Sequence, residues 1–359
     1  MNPCTPIGPE GKVLICLVRR REVTRRTSVL DSPVQFATLA ADSSWINRAG
    51  SHVSDLTLFA TPKPFRGQFD RIQRNAIRTW AALGSDVDVV LIGDDEGTSE
   101  ACGTLGVRHV PNVERSPKHV PLLSDLWSIG QAVGDAPTCV FSNADIMFGH
   151  DLVPALQAVR DAIDGPYLVI GQRWDLDIHE DIDVSAPDWD RALQQRAKRD
   201  GRCNSPLWVD WFAFARGQYV DLPPFVVGRP GYDHWIVWHT LTRGIPVIDA
   251  SDAVTAVHQH HDYSHGGSHQ DVWFGEDAAT NRRLLGDRAH MRHIGHATHR
   301  LDASLAMSEA RGAKYVLSRA HSRLAPLLER TMRVRHRFGI DADHLQALAD
   351  TVKRNGTNV

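Results

Sequence analysis

The stretch Phe141-Ser142-Asn143-Ala144-Asp145-Ile146-Met147-Phe148 decides how the rest of this chain is interpreted. Apolar residues lead into it from Cys139, and they resume directly after Asp145. A buried strand that ends in a carboxylate presents a metal ligand at the carboxyl edge of a parallel sheet, where α/β proteins bind ligands. The alternative is that Asp145 only caps a turn before a helix predicted to begin near Asp151. The rest of the sequence has to separate these two interpretations.

The composition excludes several classes of protein. The chain has 359 residues, of which 42% are apolar and 23% charged, as in globular proteins with one large or two ordinary domains. A net charge of -3 argues against a general nucleic-acid binder. Apolar runs such as residues 12–18 are too short to span a bilayer, and arginines follow that run instead of preceding it, which is the wrong order for a signal peptide. The five cysteines are scattered without a CxxC pair, so we expect a reduced, cytoplasmic protein.

Strand and helix patterns alternate through the first half of the chain. Strands are predicted at 56–60, 87–92, 107–110, 139–141 and 167–171, with helices near 69–83, 99–105, 122–133 and 152–163. This alternation predicts an α/β fold with a mostly parallel sheet and right-handed crossovers. Neither GxGxxG after the first strand nor GxxxxGK[ST] occurs, so the usual dinucleotide and P-loop fingerprints are absent.

The second half of the chain begins with a polar segment, which further predicted strands and a helix follow. The polar residues 178–205 are interpreted as an insertion or mobile loop over the site, with a helical patch at 188–198. A strand is predicted at 207–214, a helix begins at Tyr232, and another short strand follows at 245–249.

Polar side chains follow several predicted strands and are expected to meet at one edge of the sheet. They are Thr61, Asp94, Asp95, Asp145 and Arg173. Eleven of the nineteen histidines fall between His234 and His299, and some of these lie in the 258–261 cluster. Asp145 with a histidine of this cluster would form a mixed carboxylate and imidazole site for Mn²⁺ or Mg²⁺ bound together with a phosphorylated ligand. Mn²⁺ is favoured over Mg²⁺ if the imidazole ligates.

In their order, these features resemble the A-type (GT-A) fold of nucleotide-sugar-dependent glycosyltransferases. The stretch 142–145 resembles the Asp-X-Asp motif of that family, and 228–233 resembles its glycine-containing loop followed by an acidic residue that opens a helix. His258 or His260 resembles the late histidine that completes the metal shell. The stretches 208–212 and 223–225 add a likeness to a little-characterised bacterial and plant branch.

The resemblance covers residues 55–265 and implies a domain division. Residues 1–53 are predicted to be a flexible leader, whose apolar run would add an edge strand. Residues 54–275 form the predicted GT-A-like catalytic domain with a Rossmann-like, mostly parallel sheet flanked by helices. Residues 276–359 are predicted to be a mainly helical C-terminal extension.

The resemblance also implies an activity. A hexosyltransferase-type enzyme would move a sugar from a nucleoside-diphosphate donor, by default a UDP-sugar, to a hydroxyl group of a glycan, a lipid-linked acceptor or a small molecule. The sequence decides neither between retention and inversion nor the oligomeric state. The metal ligands would be Asp145, His258 and His260. The residues expected to bind the nucleotide sugar are Thr61, Pro62, Asp94, Asp95, Lys118, Asn143, Arg173 and Arg229.

Asp233 is the predicted catalytic base, with Asp210 second. Asp233 has the alternative role of a carboxylate placed favourably at a helix N-terminus, and Asp210 could instead pair with an arginine. The first acid of the motif is replaced by Asn143, whose amide supplies no charge but can hydrogen-bond a ribose hydroxyl or a metal-bound water. This substitution predicts a weaker metal site.

Two rival functions remain from the sequence. His258-Gln259-His260-His261-Asp262 matches the HxHxD motif of metallo-β-lactamase-like hydrolases, although the next residue is Tyr263 where that family has histidine. A nucleotide-sugar-binding protein without catalysis is the other alternative, because Asn143 stands where an acid was expected.

Overall fold

A computed structural model of the chain describes residues 54–261 and 269–320. The strands in these ranges are β1 (Leu56–Ala60), β2 (Val87–Ile92), β3 (Arg108–Val110), β4 (Thr138–Ser142), β5 (Ile146–Met147), β6 (Leu168–Ile170), β7 (Arg173–Leu176), β8 (Arg202–Cys203), β9 (Trp211–Ala215), β10 (Val247–Asp249), β11 (Ala256–Gln259), β12 (His299–Leu301) and β13 (Met307–Glu309). The helices are α1 (Gln68–Ala81), α2 (Thr98–Leu105), α3 (Leu123–Ala132), α4 (Leu152–Ala162), α5 (Trp189–Asp200), α6 (Tyr232–Thr242), α7 (His269–Phe274) and α8 (Glu276–Leu285), and residues 313–320 are also helical. No helix of the described part is both long and apolar enough to cross a membrane.

A large sheet organises the described residues, with nine strands in the order β13-β12-β10-β6-β9-β4-β1-β2-β3. Parallel pairs join β1 to β2 and β4, β2 to β3, and β10 to β6 and β12. Strand β9 runs antiparallel to both of its neighbours, β4 and β6. The predicted α/β class with a mostly parallel sheet is therefore confirmed, but the reversed strand at its centre was not predicted.

Helices cover both faces of this sheet. In β1, Leu58 packs into one apolar core with α1 and α4, and Phe59 points into a second core that contains Trp127 of α3 and Ile236 of α6. Leu58 and Phe59 are both completely buried. Because each strand is apolar on both faces, the central strands read as continuous hydrophobic runs, as expected for a sheet covered on two sides.

A smaller sheet brings the functional residues together. Its four strands within the described ranges follow the order β5-β11-β7-β8. Strand β11 pairs antiparallel with β5 and parallel with β7, which places His258 opposite both Ile146 and Asp175. The turn that starts at Asn143 therefore lies beside the histidine-bearing strand, although more than 100 residues separate them in sequence.

The region predicted as an insertion or mobile loop is packed onto the core. Helix α5 buries Trp189, Leu193 and Ala197 against the first core. The strand predicted at 207–214 begins only at Trp211, so residues 207–210 form an irregular segment beside the site.

The part of the predicted helical extension that is described also contains strands. Strand β12 pairs parallel with β10, and β13 pairs antiparallel with β12, so residues beyond 276 complete the large sheet. The predicted leader, its apolar run at 13–18 and residues 321–359 lie outside the described residues, and the division into domains stays a prediction.

Candidate metal centre

A cavity of about 480 Å³ lies where the carboxyl ends of β1, β2 and β4 meet the start of β9. Of the residues predicted as site residues, its lining includes Thr61, Pro62, Asp95, Asn143, Asp145, Arg173, Asp210, Arg229, Asp233 and His258. Three predicted residues do not line it. The Asp94 side chain is 70% exposed and pairs with Arg115, Lys118 pairs with Glu276 at the surface, and His260 is exposed.

At the base of the cavity, Asp145, His258 and His261 form a cluster. Their candidate ligand atoms all lie within 4.8 Å of one another. The Nε2 atom of His261 is 3.2 Å from Oδ2 of Asp145, and Nε2 of His258 is 4.0 Å from the same oxygen. The three side chains are 5–11% exposed. The structure therefore joins His261, not the predicted His260, to Asp145 and His258.

This cluster fits a divalent cation. The Oδ1 atom of Asp145 is buried and has no hydrogen-bond partner among the described residues, which is costly for a carboxylate oxygen without a ligand. Adjacent ligands of an octahedral cation with bonds of about 2.1 Å lie about 3.0 Å apart, and opposite ligands lie about 4.2 Å apart. The separations of 3.2 and 4.0 Å from Asp145 to the histidines fall in or near this range.

The electrostatics of Asp145 keep its carboxylate ionised. Burial acts to raise its pKa, but the hydrogen bond with His261 and the charges of His258 and Lys63 outweigh burial and hold the pKa well below its usual range. A carboxylate that stays charged without water is suited to a cation in the cavity.

His258 is oriented by a second carboxylate. Its Nδ1 lies 3.0 Å from Oδ1 of Asp175. The same Oδ1 accepts a hydrogen bond from Nε of Arg173, and Oδ2 of Asp175 accepts one from Nδ2 of Asn204. An ionised carboxylate only accepts hydrogen bonds, so Nδ1 carries a proton, and in the neutral imidazole the lone pair of Nε2 is left for a ligand. Burial acts to raise the pKa of Asp175, but the hydrogen bond from His258 and the charge of Arg173 lower it overall. Such carboxylate–histidine pairs fix the orientation of metal-binding imidazoles.

Asp210 is the partner of Asn143. Its Oδ1 accepts a hydrogen bond of 3.0 Å from Nδ2 of Asn143, and its Oδ2 lies 2.7 Å from Nη1 of Arg173. Burial raises the pKa of this carboxyl, the charge of Arg173 opposes that rise, and the charge of Asp145 adds to it. Asp210 therefore lines the cavity and also pairs with an arginine.

Asp233 lies in the first turn of α6 and faces the cavity. Its side chain is 19% exposed, and Nε2 of His234 lies 3.8 Å from its Oδ2. The preceding Gly231 has a φ of 111°, a conformation that a residue with a side chain rarely adopts. This glycine lets the chain enter the helix with Asp233 directed toward the cavity.

Cationic groups surround the cluster. The Nζ atom of Lys63 is 4.0 Å from Oδ2 of Asp145, and Arg229 and Arg66 also line the cavity. Burial lowers the pKa of Lys63, the charge of Asp145 raises it, and the nearby Arg229 lowers it further. Gln73 binds both the backbone N–H and the backbone carbonyl of Lys63, which fixes this position of the loop.

A second group of polar residues lies at the ends of β1 and β2. Nη2 of Arg115 donates to Oδ2 of Asp95 and Oδ1 of Asp94, at 2.8 Å in both cases. The cavity is lined here by Thr61, Asp95 and Arg115. Asp94 thus helps to position Arg115 from outside the cavity.

Four residues of the site were not predicted from sequence: His261, Lys63, Asp175 and Arg115. His258 and His260 were predicted as ligands from the family resemblance. Strand β11 ends at Gln259, so the regular alternation of side chains stops there, and His261 lies beside Asp145 whereas His260 is exposed. Asp175 is separated from His258 by 83 positions, and no local signal pairs them.

No protein-family model matches this sequence, and no curated protein matches it significantly. Some solved structures are similar to it in part. Glucosyl-3-phosphoglycerate synthase from Mycobacterium tuberculosis, in complex with Mn²⁺, UDP and glucosyl-3-phosphoglycerate, is 14% identical with a TM-score of 0.40, and the match covers 72% of this chain and 88% of that chain. Mannosyltransferase PcManGT from Pyrobaculum calidifontis, in complex with GDP-Man and Mn²⁺, is 13% identical with a TM-score of 0.38, covering 60% of this chain and 59% of that chain. TarS 1-349 from S. aureus is 8% identical with a TM-score of 0.28, and the match spans 35% of this chain and 37% of that chain.

Proposed function

We propose that this chain is a divalent-metal-dependent glycosyltransferase, which moves a sugar from a nucleoside-diphosphate donor to an acceptor hydroxyl group. The observation that carries the proposal is the cluster of Asp145, His258 and His261 in a cavity that also holds Lys63 and Arg229. Three protein ligands leave coordination positions for oxygen atoms of a bound phosphate. Lys63 and Arg229 add positive charge that suits a diphosphate.

Asp145, His258 and His261 would hold the cation. When bound, a divalent cation supplies Lewis-acid stabilisation of the charge on a departing nucleoside diphosphate, worth several kcal/mol. Lys63 and Arg229 would neutralise further charge on the same phosphates, because both lie in the cavity beside the cluster. Two imidazole ligands favour Mn²⁺ over Mg²⁺, which prefers oxygen ligands.

The nucleoside would bind at the ends of β1 and β2. Thr61, Asp95 and Arg115 offer hydroxyl, carboxylate and guanidinium groups there. UDP is the first nucleotide to test, because the motifs resemble those of enzymes that use UDP-sugars, and a hexose is the first sugar. A cytoplasmic location stays part of the proposal.

Asp233 is the better placed of the two predicted bases. Asp210 uses one oxygen for Asn143 and the other for Arg173, whereas Asp233 borders the cavity, and Nε2 of His234 lies 3.8 Å from its Oδ2. A carboxylate that removes the proton of an acceptor hydroxyl contributes about 10²–10⁴-fold to the rate of an inverting enzyme. Arg173 and Asn143 would instead hold Asp210 beside the reacting groups.

The rival hydrolase function gains no support in the structure. A metallo-β-lactamase-like site at the HxHxD motif needs His260 beside His258. His260 is exposed and lies outside the cluster, and Asp262 lies outside the described residues. Two histidines and one carboxylate are also the ligands of non-haem iron oxygenases. The cations Lys63 and Arg229 favour a polyanionic ligand over that chemistry.

The test is incubation of the protein with Mn²⁺ and a panel of UDP-, GDP- and ADP-sugars, with and without acceptors, followed by assay of released nucleoside diphosphate. We expect release from one donor class, its loss in Asp145→Ala, and a fall of about 10²–10⁴-fold in transfer by Asp233→Asn. The matched control is Asp183→Ala, which changes a carboxylate on the surface. Binding of nucleotide sugars without release would favour the non-catalytic alternative, and release that survives Asp145→Ala would refute the metal site.

A further inference from the structure

Two tryptophans form an aromatic wall of the cavity that the proposed chemistry does not use. Trp208 and Trp273 both line the cavity, with ring centroids 6.4 Å apart and ring planes at 86° to each other. Trp208 is 38% exposed. Leu207, which precedes Trp208, is 52% exposed, and Phe274, which follows Trp273, is 69% exposed. The wall is therefore a partly exposed apolar surface in the cavity that holds the metal cluster.

The exposure of Trp208 is unusual within this protein. Trp80, Trp127 and Trp211 are completely buried, and Trp235 is 8% exposed. Val209 and Trp211, one and three positions after Trp208, are also buried, at 3% and 0%. The Trp208 indole, with the guanidinium of Arg173 5.9 Å from its ring centroid, stays partly exposed beside buried neighbours. The exposed part leaves apolar area in water, which a ligand could remove on binding.

Hydrogen bonds fix the backbone near both tryptophans of the wall. The segment before Trp208 is fixed where Asn204 donates to Asp175 at 2.9 Å and where the carbonyl of Pro206 accepts from the N–H of Ile294 at 3.2 Å. Nη1 of Arg282 donates to the carbonyl of Trp273 at 2.7 Å. Asp175 also orients His258, so one carboxylate contacts both the segment before Trp208 and a histidine of the metal cluster.

The wall lies on the opposite side of the cluster from the proposed nucleoside position. Along the edge of the large sheet, Asp95 follows β2, the Asp145 turn follows β4, and Trp208 precedes β9. Strand β2 and strand β9 are three strand positions apart, which corresponds to about 14 Å. A nucleotide bound between Asp95 and the cluster leaves the side of Trp208 for the second substrate.

We propose that Trp208 and Trp273 form a subsite for a sugar ring of the acceptor, so that the acceptor is a saccharide. This inference rests on the proposed function. A pyranose has an apolar face of C–H groups that packs on an indole, and a rim of hydroxyls that hydrogen-bond to polar groups. The wall supplies the indoles, and Asp233, Asp210 and Arg173 supply polar groups in the same cavity. This mixture suits a ring with one apolar face, whereas a lipid chain would need an apolar surface throughout.

The test measures binding of simple saccharides to the full chain with Mn²⁺ and UDP present. The probes are methyl glycosides of glucose, galactose and mannose, together with maltose and cellobiose, observed by saturation-transfer NMR and by tryptophan fluorescence. We expect saturable binding of at least one probe, weakened at least tenfold in Trp208→Ala and in Trp273→Ala. Trp208→Phe should retain most of the affinity, because it keeps an aromatic face. Trp238→Phe is the control, since Trp238 lies outside the cavity lining and stacks on His290.

Three results would overturn the inference: no saccharide binds the wild type, the alanine variants bind as well as the wild type, or decanol binds at Trp208 in place of saccharides. Thermal unfolding of each variant separates loss of the subsite from loss of the fold. Mn²⁺-dependent UDP binding by the wild type, measured without saccharide, tests the proposed function separately. If UDP binds and the saccharide result is negative, only the acceptor subsite is wrong.

Discussion

The side-chain amide of Asn143 donates a hydrogen bond of 3.0 Å to Oδ1 of Asp210, and the backbone N–H of Asn143 donates to the carbonyl of Asp210 at the same distance. This double contact joins the end of β4 to the segment before β9. It also explains the asparagine at the first position of the motif. An aspartate there would place a second carboxylate against Asp210, with Asp145 close by.

Restoring an acid at this position should therefore harm the protein. We expect Asn143→Asp to lower the free energy of unfolding at pH 7 by about 1–3 kcal/mol and to bring no gain in Mn²⁺ affinity. Asn143→Ala is the comparison, because it removes the donor without adding charge. The gap between the two variants should shrink as the pH falls and the added carboxyl is protonated. Urea titrations at pH 7 and pH 4.5 measure it, and an Asn143→Asp protein that is more stable than the wild type would contradict the explanation.

The identity of the second histidine ligand can be tested by adjacent substitutions. His261→Ala should reduce Mn²⁺ affinity at least tenfold, because His261 lies 3.2 Å from Asp145. His260→Ala should leave it unchanged, since His260 is exposed outside the cluster. Titration with Mn²⁺ by electron paramagnetic resonance provides the affinities. The reverse pattern would support the ligand set implied by the family resemblance, which is Asp145, His258 and His260.

Asp175 should act on the metal through His258. Asp175→Asn keeps the shape of the side chain but removes the charge that holds the Nδ1 proton of His258, so we expect Mn²⁺ affinity to fall about 10–100-fold. The matched control is Asp190→Asn, which breaks a similar carboxylate–histidine pair of 3.0 Å with His150 away from the cavity. Equal effects of the two variants would show that the loss is general destabilisation.

Asp151 should make stability depend on pH. Burial raises its pKa to about 6, against the opposing hydrogen bond from the N–H of Thr255. A raised folded-state pKa means that the stability contribution is present below the unfolded pKa and is lost as the pH rises through about 6. Asp151→Asn keeps an acceptor for Thr255 without this loss. Its stability relative to the wild type should increase by about 2 kcal/mol between pH 4.5 and 7.5, and a constant difference in urea titrations would contradict the assigned pKa.

The first half of the fold was predictable from local sequence. Residues 56–60 and 87–92 are strands as predicted, because each is a short apolar run that ends in turn residues. The direction of β9 was not predictable, since the same apolar residues suit either direction when both faces are buried. The short strands β5, β7 and β8 depend on pairing with distant segments of the chain. Their own residues therefore carried little local signal for strand formation.

The site residues, like the fold, were predictable where the local sequence marks them and not where they depend on distant pairing. Asp145 and His258 were predicted because a strand end and a histidine cluster are visible in the sequence, whereas their pairing depends on β5 and β11. Lys63 was missed because a lysine between two prolines has no pattern that places it near a buried carboxylate. The position of Asp233 after Gly231 was recognisable, and the structure adds that it faces the cavity.

The central claim is that Asp145, His258 and His261 hold a divalent cation that binds a nucleoside diphosphate. Calorimetric titration of UDP into the wild type and into Asp145→Asn, with Mn²⁺ and with EDTA, tests it directly. The account predicts one UDP per chain in the wild type with Mn²⁺, and a loss of at least tenfold in affinity with EDTA or in Asp145→Asn. UDP binding that is equally tight without metal, or that survives Asp145→Asn unchanged, would contradict it.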